Sequence, residues 1–304
     1  MKLTIPNKFK ERYKYLADDK EAFFSRLVQP LPKSFRVNTL KVSVKEVKKR
    51  FADYGIGIKQ APWYSDAFVS EDPEIGLTLE HFLGHIYIQE LTSMLPCLVV
   101  REELKKARSV LDACAAPGSK TTQMAAIMDN KGMIVANDIN YNRIRALKFN
   151  IEKVGALNVV ITNQDLRFFP ESQHDVILVD APCSAEGTIR KSPEIFSFWS
   201  EKKIYGYANL QKQLILKAFD LLTPRGILVY STCTFAPEEN EGVVDYLLKE
   251  RPATLEQISI PKIKLTPGIT EWNGKSFNTE VKKAIRIFPH HNDTDGFFLA
   301  KVRK

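Results

Sequence analysis

The chain has no run approaching the roughly 18 apolar residues of a membrane helix. Its first residues, Met1-Lys2-Leu3-Thr4-Ile5-Pro6-Asn7, lack the apolar core of a secretory signal. The expectation is a cytoplasmic protein with no membrane partner. Cysteine is sparse: Cys97, Cys114, Cys183 and Cys233 are all there are in 304 residues, and no two are spaced Cys-x-x-Cys. That spacing excludes a zinc ribbon, and a cytosolic chain of this size is not expected to carry disulfides. His290 and His291 are adjacent but have no cysteine or carboxylate at metal-ligand spacing, so no metal is expected. Glycine is missing where a dinucleotide fold needs it. There is no Gly-x-Gly-x-x-Gly and no Gly-x-x-x-x-Gly-Lys, which argues against a nicotinamide dinucleotide turn and a Walker loop. Internal repeats and low-complexity segments are absent.

What is present suits a globular protein: 44% apolar and 26% charged residues, with length for about two domains. The net charge of +8 is unevenly spread. Residues 1–60 carry 15 Lys and Arg against 6 Asp and Glu, and residues 261–304 carry 9 against 4. The middle is mildly acidic. A basic N-terminal region beside a neutral core suits a polyanion such as nucleic acid. A solvated lysine-rich surface accounts for the same pattern.

Phe9, Tyr13 and Leu16, then Phe23, Phe24 and Leu27, recur at helical spacing until Pro30 and Pro32 break the pattern. Phe35 to Leu40 alternates like a strand. Residues 44–51 read as a helix, with Ser43 as N-cap and Glu46 three residues on as a capping box. Residues 67–69 and 85–88 read as short strands. Together residues 1–92 predict a small α+β domain. From Ser93 the rhythm alternates. Strands are predicted at 110–112, 133–137, 158–162, 176–180 and 227–231, with helices at 92–100, 120–128, 141–154, 209–222 and 238–248. Such alternation predicts an α/β domain, 93–304, built on a doubly wound, mostly parallel sheet. Residues 285–288 and 297–302 read as a C-terminal antiparallel hairpin at one sheet edge.

Four predicted strands end in or near acids: Asp112, Asp138, Asp165 and Asp180. Ligands of open α/β sheets bind at those carboxyl ends. The first leads into Ala113-Cys114-Ala115-Ala116-Pro117-Gly118-Ser119-Lys120-Thr121, a small-residue turn opening a helix, whose N–H groups favour anions and carboxylates. Gly118 permits close approach. Asp138 lies twenty residues past Gly118, where an acid reaches a ribose. Asp165 is placed for an adenine amine. For any one of these acids taken singly, a helix cap or loop carboxylate is the better reading. As a set they fit a nucleoside carrying a sulfonium and an amine, that is, S-adenosylmethionine. Arg143, one turn into the next helix, either leans on the cofactor or is a surface charge. Lys120 either reaches the cofactor or the active-site carboxylates, or is a solvated helix-end lysine.

Two cysteines occupy matched positions: Asp180-Ala181-Pro182-Cys183-Ser184 and Ser231-Thr232-Cys233-Thr234. Each follows a predicted buried strand, and either can serve as a nucleophile at a strand end. The alternative for a free cysteine is a buried small hydrophobe. That reading is taken for Cys97, and for the thiol of Cys114.

These segments resemble the NOL1/NOP2/Sun RNA cytosine-5 methyltransferases. The cofactor turn, Asp180 to Gly187, and Tyr230 to Glu241 resemble the family's catalytic motifs. Phe35-Arg36-Val37-Asn38-Thr39 and Tyr87 to Met94 resemble its N-terminal signatures, and Pro289-His290 through Asp295-Gly296-Phe297-Phe298 its last motif. Ser119 stands where the family often has a second glycine. With no appended domain expected beyond residue 304, the chain is expected to resemble the compact archaeal tRNA enzymes more than the larger ribosomal RNA ones.

The resemblance implies a Rossmann-like, seven-stranded methyltransferase domain and an N-terminal RNA-recognition-like domain. It implies S-adenosylmethionine as cofactor and RNA, tRNA first, as partner. Its cofactor residues would be 114–120, Asp138, Arg143, Asp165 and Asp180. Cys233 would attack carbon 6 of cytosine and make carbon 5 nucleophilic. Asp180 would hydrogen-bond the ring nitrogen, acting as an acid only if a closed site keeps it protonated. Cys183 would assist product release, and Lys120 would join these catalytic groups. Arg36, Lys41, Arg190, Lys191 and the basic run 45–50 would contact phosphates, with the target base flipped from its stack. Alternatives remain: a ribosomal RNA enzyme, a DNA cytosine methyltransferase using Cys183 as nucleophile, or a non-catalytic RNA-binding scaffold.

Overall fold

The computed structural model describes residues 4–304. The first three residues of the N-terminal run considered above therefore lie outside the described part. The chain opens with two helices, α1 (Asn7–Tyr13) and α2 (Lys20–Leu27). Their helical periodicity buries Phe9, Tyr13, Phe23 and Leu27 completely. The partners are Ile189, Phe235 and Phe288, all from the second half of the chain. Asp19 caps α2, accepting from the N–H groups of Glu21 and Ala22.

Strands β1 (Lys33–Val37), β2 (Ile58–Gln60), β3 (Ala67–Ser70) and β4 (Ile86–Ile88) form an antiparallel sheet in the order β2-β3-β1-β4. Helix α3 (Val44–Asp53) packs on it through Val47 and Phe51, one turn apart, against Phe35 and Phe68. The capping box read from the sequence is present: Ser43 Oγ accepts from Glu46 N at 3.2 Å, and the Glu46 carboxylate accepts from Ser43 N.

The large sheet uses β5 (Ser109–Asp112), β6 (Met133–Asn137), β7 (Val159–Thr162), β8 (His174–Asp180), β9 (Leu222–Thr232), β10 (Thr254–Glu256) and β11 (Thr266–Pro267). After a two-stranded ribbon of β12 (Glu271–Trp272) and β13 (Lys275–Ser276), it adds β14 (Ile285–Ile287) and β15 (Phe297–Arg303). Its order is β11-β14-β15-β9-β8-β5-β6-β7, with β10 beside β15. The five strands β5 to β9 are parallel, and β15 runs antiparallel to β9. Strand alternation splits the core into two layers. Val110, Ile134 and Val229 face one side; Leu111, Ile177, Leu228 and Tyr230 face the other. The covering helices include α4 (Ser119–Ile127), α5 (Tyr141–Val154), α6 (Glu201–Asp220) and α7 (Glu241–Glu250). No described helix is long and apolar enough to cross a membrane.

Four expectations need adjustment. The C-terminal hairpin is present, but β15 lies inside the sheet, pairing β9 from Ile227 to Thr232. The seven expected strands gain two short additions, β10 and β11. The helix expected from residue 209 starts at Glu201, capped by Ser200; its first turns bury little besides Ile204 and hide the apolar stripe. The helix expected over 92–100 is instead a 3-10 turn, Thr92–Met94, followed by a short helix, Leu95–Leu98.

Candidate active site

Parallel pairing of β8 with β9 sets Asp180 opposite Ser231. The chain leaves both strands on the same side, so Cys183 and Cys233 meet with their sulfurs 3.3 Å apart. The hydrogen bond to Cys233, reinforced by burial, holds the Cys183 thiol well above its usual range. Either sulfur can be the donor in this contact.

Asp180 lies beside this pair. Its Oδ2 accepts from Lys120 Nζ at 2.6 Å and its Oδ1 from Ser231 Oγ at 2.8 Å. Lys120 is buried. Burial opposes its charge, but the Asp180 carboxylate more than offsets this and holds the ammonium above the usual lysine value. Of the two readings of Lys120, the structure supports the active-site one. Phe297 closes this corner, its ring centroid 5.8 Å from Nζ.

Both thiols open onto a cavity of about 380 Å³ at the carboxyl ends of the parallel strands. That volume falls within the range of small-molecule sites. Cys114, Ala116, Asp138, Arg143, Asp165 and Asp180 line it. Asp138 is held by N–H donation from Ala116 (3.1 Å) and Asn140 (2.9 Å). Arg143 reaches Asp138 at 3.5 Å and the Ala116 carbonyl. Asp165 is drawn to Arg167, whose hydrogen bonds lower its pKa. The donor set and shape fit a nucleoside with a cationic tail: carboxylates at successive strand ends and a small-residue wall.

Other turn residues shape that wall from behind. Ala115, Pro117, Gly118 and Ser119 do not reach the cavity. Gly118 has φ +104°, and a Cβ there would meet Leu147 Cδ1 at 2.9 Å. Asp112 does not reach the cavity either. It is buried and accepts from Thr121 Oγ1 at 2.6 Å, and desolvation raises its pKa to about 7. Cys97 is a buried structural residue, as expected, donating to the Lys120 carbonyl at 3.6 Å.

The expected phosphate contacts fare worst. Arg36 is buried, its guanidinium bound to Thr122 Oγ1 (3.1 Å) and Gln89 Oε1 (3.3 Å). It ties the small sheet to α4 and has no reach to a phosphate. Arg190 has a fully buried side chain, clamped by the carbonyls of Gln29, Pro30 and Thr294 and by Asp293. Lys41 is exposed, but its ammonium donates to the carbonyls of Leu83 and Lys153. Lys191 remains exposed, as do Lys45, Lys48 and Lys49 on the outer face of α3. The structure also supplies His290 and His291 with a carboxylate that sequence spacing did not show. Asp18 accepts from both rings at 3.0 and 2.8 Å, across more than 270 residues.

Residue-type reasoning missed two buried glutamates behind the thiols. Glu186 accepts from Tyr13, Thr234, Trp199 and the Phe235 N–H. Glu239 Oε2 accepts from Ser184 N and Gln211 Nε2, and its Oε1 lies against Ser184 Oγ. Both lie inside the cysteine motifs, but a glutamate gives no sign in sequence that it will be buried.

Residues 100–303 match the family model described as 16S rRNA methyltransferase RsmB/F, and residues 5–91 match that for the N-terminal domain of 16S rRNA methyltransferase RsmF. The chain is 43% identical, over 99% of its length and 96% of the relative's, to a tRNA (cytosine(49)-C(5))-methyltransferase of Pyrococcus abyssi. It is 40% identical, over 99% of its length, to the ribosomal RNA small subunit methyltransferase F of Vibrio parahaemolyticus, of which it spans 63%. A solved methyltransferase homologue from Pyrococcus horikoshii superposes with a TM-score of 0.88 at 36% identity, covering 99% of this chain and 96% of that one. The structure of NSun6 from the same organism with SFG, an analogue of S-adenosylmethionine, gives 0.84 at 25% identity, covering 100% and 99%. The chain belongs to the RsmB/F (NOL1/NOP2/Sun) family of S-adenosylmethionine-dependent methyltransferases.

Proposed function

We propose that this protein methylates carbon 5 of cytosine in RNA, with tRNA as substrate, through a covalent adduct on Cys233. The carrying observation is the pair of thiols on the wall of the strand-end cavity, their sulfurs 3.3 Å apart. Full-length similarity to a named tRNA enzyme of nearly the same size supports tRNA. A DNA-type mechanism would need Cys183 as the attacking thiolate, and the contact with Cys233 together with burial pushes that thiol well above its usual range.

Bound in the cavity, S-adenosylmethionine would supply an electrophilic methyl group. Asp138 and Asp165, which line the cavity, would take its hydroxyl and amine groups. The chemistry then falls to the protein. Cys233 Sγ forms a bond to carbon 6, which sends the ring's electron pair toward carbon 5. Asp180 would hold the ring nitrogen through a proton supplied by one of its two donors, Lys120 Nζ or Ser231 Oγ. Once carbon 5 is methylated, Cys183 Sγ, 3.3 Å from the bonded sulfur, would take the carbon-5 proton as a thiolate, while the Sγ–carbon 6 bond breaks and Cys233 leaves as thiolate.

The test is incubation with labelled S-adenosylmethionine and tRNA, followed by digestion to nucleosides. Labelled 5-methylcytidine is expected; no label from any RNA class sinks the proposal. Cys183→Ala should accumulate an RNA adduct that survives denaturation, whereas Cys233→Ala should form none. The reverse pattern would favour the DNA-type assignment.

A further inference from the structure

The residues that follow the two thiols also meet. Ser184 Oγ lies 2.7 Å from Thr234 Oγ1. Beyond them stand the buried carboxyls: Ser184 Oγ is 2.5 Å from Glu239 Oε1, and Thr234 Oγ1 is 3.0 Å from Glu186 Oε2. This makes a line of three oxygen–oxygen contacts, Glu239–Ser184–Thr234–Glu186. Two hydroxyls supply only two hydrogens to it. With both glutamates ionised, one contact would set lone pairs against each other in a buried site. A third hydrogen must come from a carboxyl.

The surroundings show which one. The Glu186 oxygens also face donors from Tyr13 OH, Trp199 Nε1 and Phe235 N; it is placed as an acceptor throughout. At Glu239, Oε2 accepts from Ser184 N at 3.0 Å and Gln211 Nε2 at 2.8 Å. Oε1 faces the hydroxyls alone, Ser184 at 2.5 Å and Thr234 at 3.5 Å.

We infer that Glu239 is a protonated positioning residue whose Oε1 hydrogen starts a one-way relay, through Ser184 and Thr234 to the Glu186 carboxylate, that holds the two cysteine turns in register. The inference rests on the cysteine-based reaction for its consequence, though not for its geometry. Desolvation of Glu239, which raises its pKa to about 7, agrees with it. The titratable groups facing Glu239 are Glu186, Cys183 on its own turn, Tyr207 on α6 and Tyr230 on β9. Burial pushes Glu186, Tyr207 and Tyr230 upward, and Cys183 is raised chiefly by its bond to Cys233. The cysteine and both tyrosines are therefore neutral near pH 7, and the chief influences on Glu239 are burial, its hydrogen bonds to Ser184 and Gln211, and Glu186.

Glutamine fits this role, since its amide can donate to Ser184 Oγ while its carbonyl keeps the Ser184 N–H and Gln211. Infrared difference spectra of the whole protein, wild type minus Glu239→Gln, should show a protonated-carboxyl stretch at pH 6 that fades as pH rises through about 7. Its absence at pH 6 would overturn the inference, whether or not RNA is methylated. In methyl transfer, the wild type should lose kcat on the alkaline side, and Glu239→Gln should keep most of its turnover with that limb removed. Glu239→Ala should lose about 100-fold, as expected for misplaced catalytic groups. Glutamine and alanine variants falling equally, with the alkaline limb intact, would also overturn it. Wild type inactive on every RNA but showing the infrared band would refute the enzymatic reading and leave the proton where it is placed here.

Discussion

Lys120 Nζ stands 2.6 Å from Asp180 Oδ2, joining the first helix after the cofactor turn to the end of β8. Lys120 is nearly inaccessible, whereas Asp180 keeps 32% of its side-chain surface. Removing the lysine should therefore cost less than breaking a fully buried pair. Lys120→Met is expected to lower stability by about 2 kcal/mol, below the 3–5 kcal/mol typical of deep pairs. Methyl transfer should fall far more, because Asp180 loses its orientation. A urea titration alongside turnover separates the two effects; parallel small losses would show the pair to be structural only.

The thiol pair makes a second prediction. The contact with Cys233 and burial hold the Cys183 thiol well above its usual range, and alkylation requires a thiolate. Iodoacetamide at neutral pH should label Cys233 before Cys183, read by peptide mass spectrometry. In Cys233→Ser, Cys183 loses its sulfur partner and should label faster than in the wild type. Cys183 labelled first in the intact protein would reverse the division of roles.

Much of the site could be read from sequence because strand ends are local signals. An apolar run, a small-residue turn and an acid place Cys114, Asp138, Asp180, Cys183 and Cys233 at one edge, where the structure has them. Surface charge was read poorly. Arg36 and Arg190 look in sequence like any basic residue near a motif. Their burial depends on carbonyls and hydroxyls brought in from Thr122, 86 residues away, and Thr294, 104 residues away. The fate of α1 was illegible for the same reason. Its apolar stripe predicts a helix, but only tertiary structure shows that Tyr13 reaches Glu186, 173 residues on.

That difference can be measured on RNA. Lys191→Ala should weaken binding and reduce the salt slope by about one, as for a lost phosphate contact. Arg36→Met should lower the melting temperature and leave the slope unchanged, because the guanidinium is sealed between Gln89 and Thr122. Equal slopes for the wild type and Lys191→Ala would remove Lys191 from the RNA surface.

Gly187 locks the Cys183 turn against its neighbours. Its N–H donates to the Cys233 carbonyl at 2.8 Å, and its own carbonyl accepts from Gly296 N at 2.9 Å. A Cβ there would stand 2.2 Å from the Gly296 oxygen and 2.8 Å from that of Cys233, both main-chain atoms. Neither can yield without moving a catalytic turn. Gly187→Ala is expected to cost about 3 kcal/mol, the upper end for overpacking, and to abolish adduct formation on Cys233. A variant of wild-type stability that still forms the adduct would show the turns to be more pliant than their packing.

Stability should also depend on pH in a fixed direction. Asp112 is desolvated at the end of β5, with one oxygen on Thr121 Oγ1 and the other without a partner, and its pKa rises to about 7. Glu239 rises to about 7 through burial, and Asp295 moves the same way through burial and the nearby Glu90. Each group binds its proton more tightly folded than unfolded. Between the ordinary carboxyl range and about pH 7, the folded state therefore holds more protons, and stability falls as pH rises. Each group contributes up to about 1.4 kcal/mol per pH unit in that window. The full stabilisation is present at the acidic end and is lost as pH rises through about 7 for Asp112 and Glu239 and about 8 for Asp295. Urea midpoints should drop steadily from pH 5 to pH 7.5. Asp112→Asn removes one titrating carboxyl while keeping its shape, so its midpoint should change less over the same interval. A wild-type midpoint that rises across this interval would show that these carboxyls are ionised in the fold.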